Sequence, residues 1–249
     1  MAGHSKWANI KHRKGAQDKK RSKLFTRLLK EIAVAAKESG PDPDANPRLR
    51  MAIKNASKMS VPKDKITKAV SKGAGDDGAG YEEATFEGYG PHGVAVFVEC
   101  LTDNNNRTVA NVRSYFNKMN GSLGKSGSVE FMFDRKGVFV VPSEGLDEDE
   151  LTLELIDFGL EEIEQQDENF ILTCAFEDFG SLNGKLEEMK LEAESSTLER
   201  IPTTYTKLEI DQARSVLKLI DKLEDDDDVQ NLFHNMEMTD EIEAAMDEV

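Results

Sequence analysis

The residues of this chain whose types and spacing most clearly suggest a chemical role are a dense set of lysines and arginines near its beginning. Residues 1–30 contain ten basic residues and one acidic residue. Both basic side chains bind phosphate oxygens, and arginine can bind two oxygens at once. We therefore predict that residues 2–27 contact nucleic acid. The predicted contact residues are Lys6, Lys11, His12, Arg13, Lys14, Lys19, Lys20, Arg21, Lys23 and Arg27.

Trp7 lies in the same segment and has two interpretations. Its ring could stack on an unpaired base. A lone tryptophan more often anchors a chain end on a hydrophobic core, and the sequence leaves both readings open.

The charge of the chain is divided unevenly along its length. Residues 1–72 contain 19 basic and 6 acidic residues, whereas the whole chain carries a net charge of −16. A basic block on an acidic protein indicates a polyanionic partner, and nucleic acid is the commonest one. The solvated face of a helix is the usual alternative for such a charge run.

Helical spacing arranges part of this basic charge into rows. Between residues 20 and 37, the side chains of Lys20, Lys23, Arg27 and Lys30 fall on one side of a helix, opposite an apolar face. Arg50, Lys54 and Lys58 form a second row at four-residue intervals.

No motif in the sequence indicates catalysis, a metal ion or a cofactor. The Gly-Lys-Ser of residues 124–126 lacks the upstream glycine of a phosphate-binding loop, because position 119 is methionine. Residues 102–108 suit the N-cap of a helix, and Asp103 and Arg107 suit a local ion pair. The histidines and cysteines have no metal-ligand spacing, and Cys100 and Cys174 are expected to be buried free thiols. We predict no catalytic residue and no small-molecule substrate.

An acidic run, residues 224–228, follows an amphipathic segment near the C-terminus. It lacks the spacing of a calcium-binding loop. The sequence leaves three interpretations: a helix end, a solvated loop, or a docking site for a basic protein.

The pattern of apolar residues predicts an α+β fold. Three short helices come first, and Asn46 with Pro47 is expected to start the second. Residues 73–80 are predicted to be a glycine-rich linker. Strands are expected at 93–101, 128–133 and 228–234, with helices at 105–119 and 210–223. A turn is predicted at 134–137. The pattern from 137 to 201 then reads β-α-β-β-α-β, which is ferredoxin-like.

We therefore predict three domains. Residues 1–75 form a basic helical bundle, residues 81–135 with 203–249 form a discontinuous α/β domain, and residues 136–202 form a βαββαβ domain inserted into it. The chain shows no secretion signal and no apolar run long enough for a membrane span, so we expect a cytoplasmic protein.

The sequence also resembles the YebC family across nearly its whole length. The segments that carry the resemblance are residues 1–26, 42–50, 86–94, 102–108, 123–129 and 219–235. The resemblance implies a three-domain, non-enzymatic protein of the cytoplasm. Family members are commonly named DNA-binding transcriptional regulators, whereas mitochondrial relatives act as translational activators of cytochrome c oxidase.

These observations lead to one main functional hypothesis and two alternatives. The main hypothesis is a YebC-type transcriptional regulator that contacts DNA phosphates through the basic bundle. The first alternative is a translation factor that binds the ribosome or its RNA. The second is an acidic protein-interaction module that docks a basic protein.

Overall fold

The structure, a computed structural model, describes residues 21–75 and 80–246. The contacts divide the chain into two compact units. One unit is discontinuous and contains the chain before Phe133 and after Thr203, and the other is Phe133–Thr203. The fold is α+β, as predicted, with N-terminal helices followed by two antiparallel four-stranded sheets. The division into three domains with the bounds given above stays a prediction.

In the described part of the chain, three helices come before the first strand, and strands and further helices follow. In chain order they are α1 (Arg21–Ser39), α2 (Pro47–Lys58), α3 (Lys63–Ala74), β1 (Glu82–Tyr89), β2 (Ala95–Thr102), α4 (Asn105–Lys118), β3 (Ser122–Leu123), β4 (Phe133–Pro142), α5 (Glu148–Leu155), β5 (Leu160–Gln166), β6 (Asn169–Ala175), α6 (Phe179–Glu188), β7 (Ser195–Pro202), α7 (Ile210–Glu224), β8 (Val229–His234) and α8 (Asp240–Met246).

Helices α1 to α3 form the predicted three-helix bundle. Its core contains Ile32, Leu49 and Ile66, one from each helix. Asn46 caps α2, since its side-chain oxygen accepts a hydrogen bond from the Leu49 amide at 3.0 Å. Its amide group also donates to the carbonyl oxygens of Ala35 and Gly40, which joins the end of α1 to the start of α2.

The predicted linker at residues 73–80 is wrong at its start. Helix α3 continues to Ala74, and Gly73 is buried inside it. A Cβ atom at position 73 would collide with the carbonyl oxygen of Ala33. Gly73 is therefore required by close packing of α3 on α1. Residues 76–79, within the predicted linker, lie outside the described residues.

The first sheet has the strand order β3-β1-β2-β8 and belongs to the discontinuous unit. Its core joins β2 to helices α4 and α7, through side chains such as Val98, Phe116 and Ile220. Strand β1 was not predicted, because its sequence (EEATFEGY) is rich in acidic and small residues. The strand forms because it pairs antiparallel with β2 along its full length, although its own sequence pattern does not predict a strand.

The second sheet has the strand order β5-β6-β4-β7. With α5 between β4 and β5, and α6 between β6 and β7, this is the predicted ferredoxin-like arrangement. Its core contains Phe139, Leu155, Leu172 and Leu186. Cys100 and Cys174 are both buried free thiols, as predicted.

The predicted break around residues 134–137 is also wrong. One strand, β4, runs from Phe133 to Pro142, and a short 3-10 turn occupies Glu130–Met132 where a strand was expected. The strand persists because β6 and β7 pair with it on either side. Gly137 sits in its middle because a Cβ atom there would lie 2.6 Å from Cys174 and from Phe179. Tertiary pairing thus overrides a turn-like local sequence.

Candidate nucleic-acid interface

Most of the predicted contact residues lie outside the part of the chain that the structure describes. These are Lys6, Trp7, Lys11, His12, Arg13, Lys14, Lys19 and Lys20. Arg21 begins α1, and its side chain is likewise outside the description. The remaining two, Lys23 and Arg27, are placed on the helix face that the sequence predicted to be basic.

The basic face of α1 meets the acidic run at the end of α7. Lys23 Nζ donates to the carboxylate of Asp225 at 2.8 Å and to the carbonyl oxygen of the same residue at 2.9 Å. Arg27 Nη2 donates to the carbonyl oxygen of Glu224 at 2.6 Å. Arg27 is buried and Lys23 is partly exposed. Both predicted phosphate contacts are therefore engaged inside the protein in this structure.

Lys30 extends the same row by one helical turn. Its Nζ atom donates to the Asp228 carboxylate at 2.8 Å, to the Asp227 carbonyl oxygen at 2.8 Å and to the Leu101 carbonyl oxygen at 3.2 Å. An ammonium group has three protons to donate, so these three acceptors satisfy it fully. Burial of this charge is therefore compensated.

Asp228 is the centre of the network. One carboxylate oxygen accepts from Lys30, and the other accepts from Arg107 at 2.6 Å and from the hydroxyls of Thr108 and Thr102 at 2.9 and 3.2 Å. Burial by itself would raise the pKa of Asp228. The hydrogen bonds from Arg107, Lys30 and Thr108 outweigh burial and lower the pKa to about 2. The carboxylate is thus held as an anion.

The end of α7 explains why cations gather there. The last carbonyl groups of a helix lack helical partners and carry the negative end of the helix dipole. Neither Asp225, with φ of −75°, nor Asp226 has a positive φ, so no left-handed residue closes the helix end. Arg27 and Lys23 instead donate to the carbonyl oxygens of Glu224 and Asp225. Lys23 and Arg27 thus act as the cap of α7.

The acidic run lies at the end of α7, as one of the three interpretations of the sequence predicted, and most of it is not solvated. Glu224, Asp226 and Asp228 are buried. The Asp226 carboxylate accepts from Asn111 at 3.1 Å and from the Tyr115 hydroxyl at 3.0 Å. Burial, together with the neighbouring Asp226, raises the pKa of Tyr115 to about 12. The run binds a basic partner, and that partner is the helix α1 of the same chain.

The bundle also carries basic residues that remain on its surface. Helix α2 exposes its predicted row, Arg50, Lys54 and Lys58. Helix α3 exposes Lys63, Lys65, Lys68 and Lys72, which the sequence analysis did not single out. Intervals of three and four residues place Lys65, Lys68 and Lys72 on one helix face. This spacing could have identified the row from the sequence.

The glycine-rich loop after β3 contains an anion that the protein itself supplies. The buried carboxylate of Glu87 accepts from the amides of Gly127, Val129 and Glu130 at 2.6, 2.8 and 2.9 Å. Three converging amides could otherwise receive a phosphate oxygen. Glu87 occupies them, so this loop offers no free anion site at those amides.

The remaining local predictions are confirmed around α4. Asn104 caps this helix by accepting from the Arg107 amide at 3.1 Å, and Arg107 pairs with Asp103 at 2.8 Å.

Across residues 21–75 and 80–246, no group of three or more His, Cys, Asp or Glu residues is arranged to hold a metal ion. In the same ranges, no helix is long and apolar enough to cross a membrane.

The fold and the charge distribution place this chain among α+β proteins in which a basic helical bundle precedes two antiparallel sheets. Residues 5–76 match the family model described as the TACO1/YebC N-terminal domain. Residues 81–236 match the model described as the TACO1/YebC second and third domain, which is labelled a transcription regulator. The chain belongs to the TACO1/YebC family, which is named for regulators and not for an enzyme.

A solved structure supports the same fold. The chain is similar to a conserved hypothetical protein, Aq1575, from Aquifex aeolicus, with 39% sequence identity. The match covers 91% of this chain and 94% of that one, with a TM-score of 0.80.

Proposed function

We propose that this protein is a non-enzymatic regulator of gene expression that binds nucleic acid through its basic N-terminal bundle. The observation that supports this best is the concentration of positive charge, 19 basic against 6 acidic residues in the first 72. Release of counterions from nucleic acid would drive the binding, so affinity should fall steeply as salt rises.

Duplex DNA is the first candidate target, in keeping with the transcription-regulator label of the family model. Contact is expected at phosphates more than at base edges, because the sequence offers no recognition helix for a groove. The protein would then recognise little DNA sequence itself. It would regulate gene expression through its recruitment to a DNA site or by blocking that site.

Ribosomal RNA is the second candidate, favoured by the TACO1 part of the family name, since TACO1-type relatives are translational activators. An acidic protein-interaction module has less support. The acidic run that could have docked a basic protein is already occupied by α1.

The experiment is a binding titration of the full chain against a 20-base-pair DNA duplex and a 30-nucleotide single-stranded RNA, each across a salt series. The matched variant replaces Lys19, Lys20 and Arg21 with Glu and leaves Lys23 in place, because Lys23 pairs with Asp225. We expect the variant to bind at least tenfold more weakly. Equal binding of variant and wild type would remove this segment from the interface.

Co-sedimentation with ribosomes at moderate salt separates the two targets. If the wild type sediments with ribosomes and the triple variant does not, ribosomal RNA becomes the target. If neither sediments while the duplex is bound, DNA is the target.

A further inference from the structure

We propose that helix α5 offers a docking surface for a basic amphipathic helix of a protein partner. This α5 surface consists of two exposed apolar side chains, Leu153 and Ile156, and three exposed carboxylates, Asp149, Glu150 and Asp157. It belongs to the ferredoxin-like unit, whereas the acidic run that α1 occupies belongs to the discontinuous unit. The α5 surface adds a protein partner to the nucleic acid of the proposed function, and it does not depend on that function.

The first reason is that α5 carries large apolar side chains on two sides. Leu151 and Leu155 are buried in the core of the ferredoxin-like unit. Leu153 is 75% exposed, because two residue steps turn a helix by about 200° and direct its side chain away from that core. Ile156, which is 57% exposed, follows three residues later in the 3-10 turn after the helix. A surface helix normally keeps polar residues on its outer side, so this apolar pair indicates a contact that a partner completes.

The second reason is the negative charge around the apolar pair. Residues 137–184 contain 14 acidic residues and no lysine or arginine. Asp149 and Glu150 lie four and three residues before Leu153, and Asp157 lies four residues after it. These intervals bring side chains to the same side of a helix. None of the three carboxylates forms an ion pair with another residue in the described part of the chain.

The helix dipole explains part of this charge but not all of it. Carboxylates are favourable in the first turn of a helix, where Asp149 and Glu150 lie. Asp157 lies beyond the last turn of α5, where the negative end of the dipole opposes another anion. A cation from outside the unit would offset this repulsion. We therefore expect lysine or arginine of the partner at this end of α5.

The third reason is that the pattern of charge selects the class of partner. An apolar centre with a polar rim is the usual anatomy of a protein–protein contact. The carboxylates would repel phosphates, which excludes nucleic acid from this surface. Lys185 of α6 shows the expected chemistry, since its Nζ atom lies 3.9 Å from a carboxylate oxygen of Glu154 and 5.1 Å from the centre of the Phe158 ring. A helix with one apolar face flanked by lysine or arginine complements both the apolar centre and the acidic rim.

The test is a binding titration of the full-length protein with a labelled peptide made of leucine and lysine. The peptide has about 14 residues, or about 21 Å of helix at 1.5 Å per residue. Its leucines stand at intervals of three and four residues, so that they form one apolar face. A second peptide has the same composition, but its leucines are spread around the helix. Because the two peptides carry equal charge, only docking of an apolar face distinguishes them.

Two variants change the α5 surface. The apolar variant combines Leu153→Gln with Ile156→Gln, which removes the centre of the surface and keeps the net charge. The rim variant combines Asp149→Asn, Glu150→Gln and Asp157→Asn, which removes three negative charges.

Each variant has a matched control in the discontinuous unit. Phe131→Gln is the control for the apolar variant, because Phe131 is 74% exposed. The control for the rim variant combines Glu82→Gln, Asp211→Asn and Glu241→Gln, which removes three exposed carboxylates. Thermal melts followed by circular dichroism would establish that all variants are folded.

We expect the wild type to bind the amphipathic peptide at least tenfold more tightly than its isomer at about 0.15 M salt. The apolar variant should lose at least tenfold in affinity for the amphipathic peptide and bind the isomer as the wild type does. The rim variant should bind both peptides at least threefold more weakly. Both controls should stay within twofold of the wild type.

Three results would overturn the α5 surface. The first is an apolar variant that binds the amphipathic peptide as tightly as the wild type, because the attraction would then come from charge alone. The second is a wild type that binds neither peptide. The third is a wild-type dimer in sedimentation velocity that the apolar variant loses, since this would assign the surface to a second copy of the chain. The apolar variant should bind the 20-base-pair duplex within twofold of the wild type, so none of these results bears on the proposed function.

Discussion

Lys30 and Asp228 form an ion pair with an N–O distance of 2.8 Å, although 198 residues separate them in sequence. Their side chains are 9% and 6% exposed. Asp228 also accepts hydrogen bonds from Arg107 and Thr108 on α4. This carboxylate therefore joins the N-terminal bundle to the first sheet and its covering helix.

The first prediction concerns Asp228 and pH. Because the folded state lowers its pKa to about 2, its anion stabilises the fold fully above the unfolded pKa of about 4, and this stabilisation is lost as pH falls toward 2. Asp228→Asn should lower the free energy of unfolding at pH 7 by roughly 1–3 kcal/mol. Urea denaturation of both proteins between pH 7 and pH 2 should show the difference shrinking below about pH 4.

Asp211→Asn is the control, because Asp211 is 90% exposed and its nearest cation is 3.8 Å away. Its effect should stay within about 0.5 kcal/mol at every pH. A difference for Asp228→Asn that is constant from pH 7 to pH 2 would contradict the role given to the anion.

The second prediction concerns Asn46. Asn46→Ala removes the cap of α2 and both donations to the end of α1, so the loss of stability should exceed the roughly 1 kcal/mol of an ordinary cap. Asp147→Ala is the comparison, since Asp147 caps α5 through one exposed bond to the Glu150 amide. Chemical denaturation should give the larger loss for Asn46→Ala. Equal losses would mean that the two donations contribute nothing.

The third prediction concerns Glu87 and the loop that it holds. In Glu87→Gln, the side-chain NH2 group cannot accept from a backbone amide, so at least one of the three bonds is lost. Hydrogen exchange at Gly127, Val129 and Glu130 should become about tenfold faster. Glu82→Gln, at an exposed position of β1, should leave these rates unchanged. Unaltered exchange in Glu87→Gln would show that the carboxylate does not order the loop.

The fourth prediction concerns the contact of α3 with α1. Gly73→Ala places a Cβ atom against the Ala33 carbonyl oxygen, and relief requires the backbone to shift. We expect a loss of about 1–3 kcal/mol, even though alanine favours helix more than glycine. Gly75→Ala is the matched control, because its Cβ atom would meet its nearest neighbour at an ordinary 3.5 Å. A thermal melt that places Gly73→Ala at or above the wild type would contradict the close approach.

The sequence by itself determined the features that depend on neighbours within a few turns of chain. Apolar periodicity marked α1 to α3, and Asn46 before Pro47 marked the start of α2. The β-α-β-β-α-β pattern was equally readable, since each strand and helix of that unit follows the previous one after a short connection. The shared face of Lys23, Arg27 and Lys30 followed from the 3.6-residue repeat.

Only the tertiary structure decided what that basic face meets. Helical spacing puts cations on one side of a helix, but it carries no information on the distant residues that the side faces. Here the counter-charges are 198 and 202 residues away, in the run at the end of α7. The same limit explains the acidic strand β1 and the unbroken strand β4, because both are specified by the strands that pair with them and not by their own sequences.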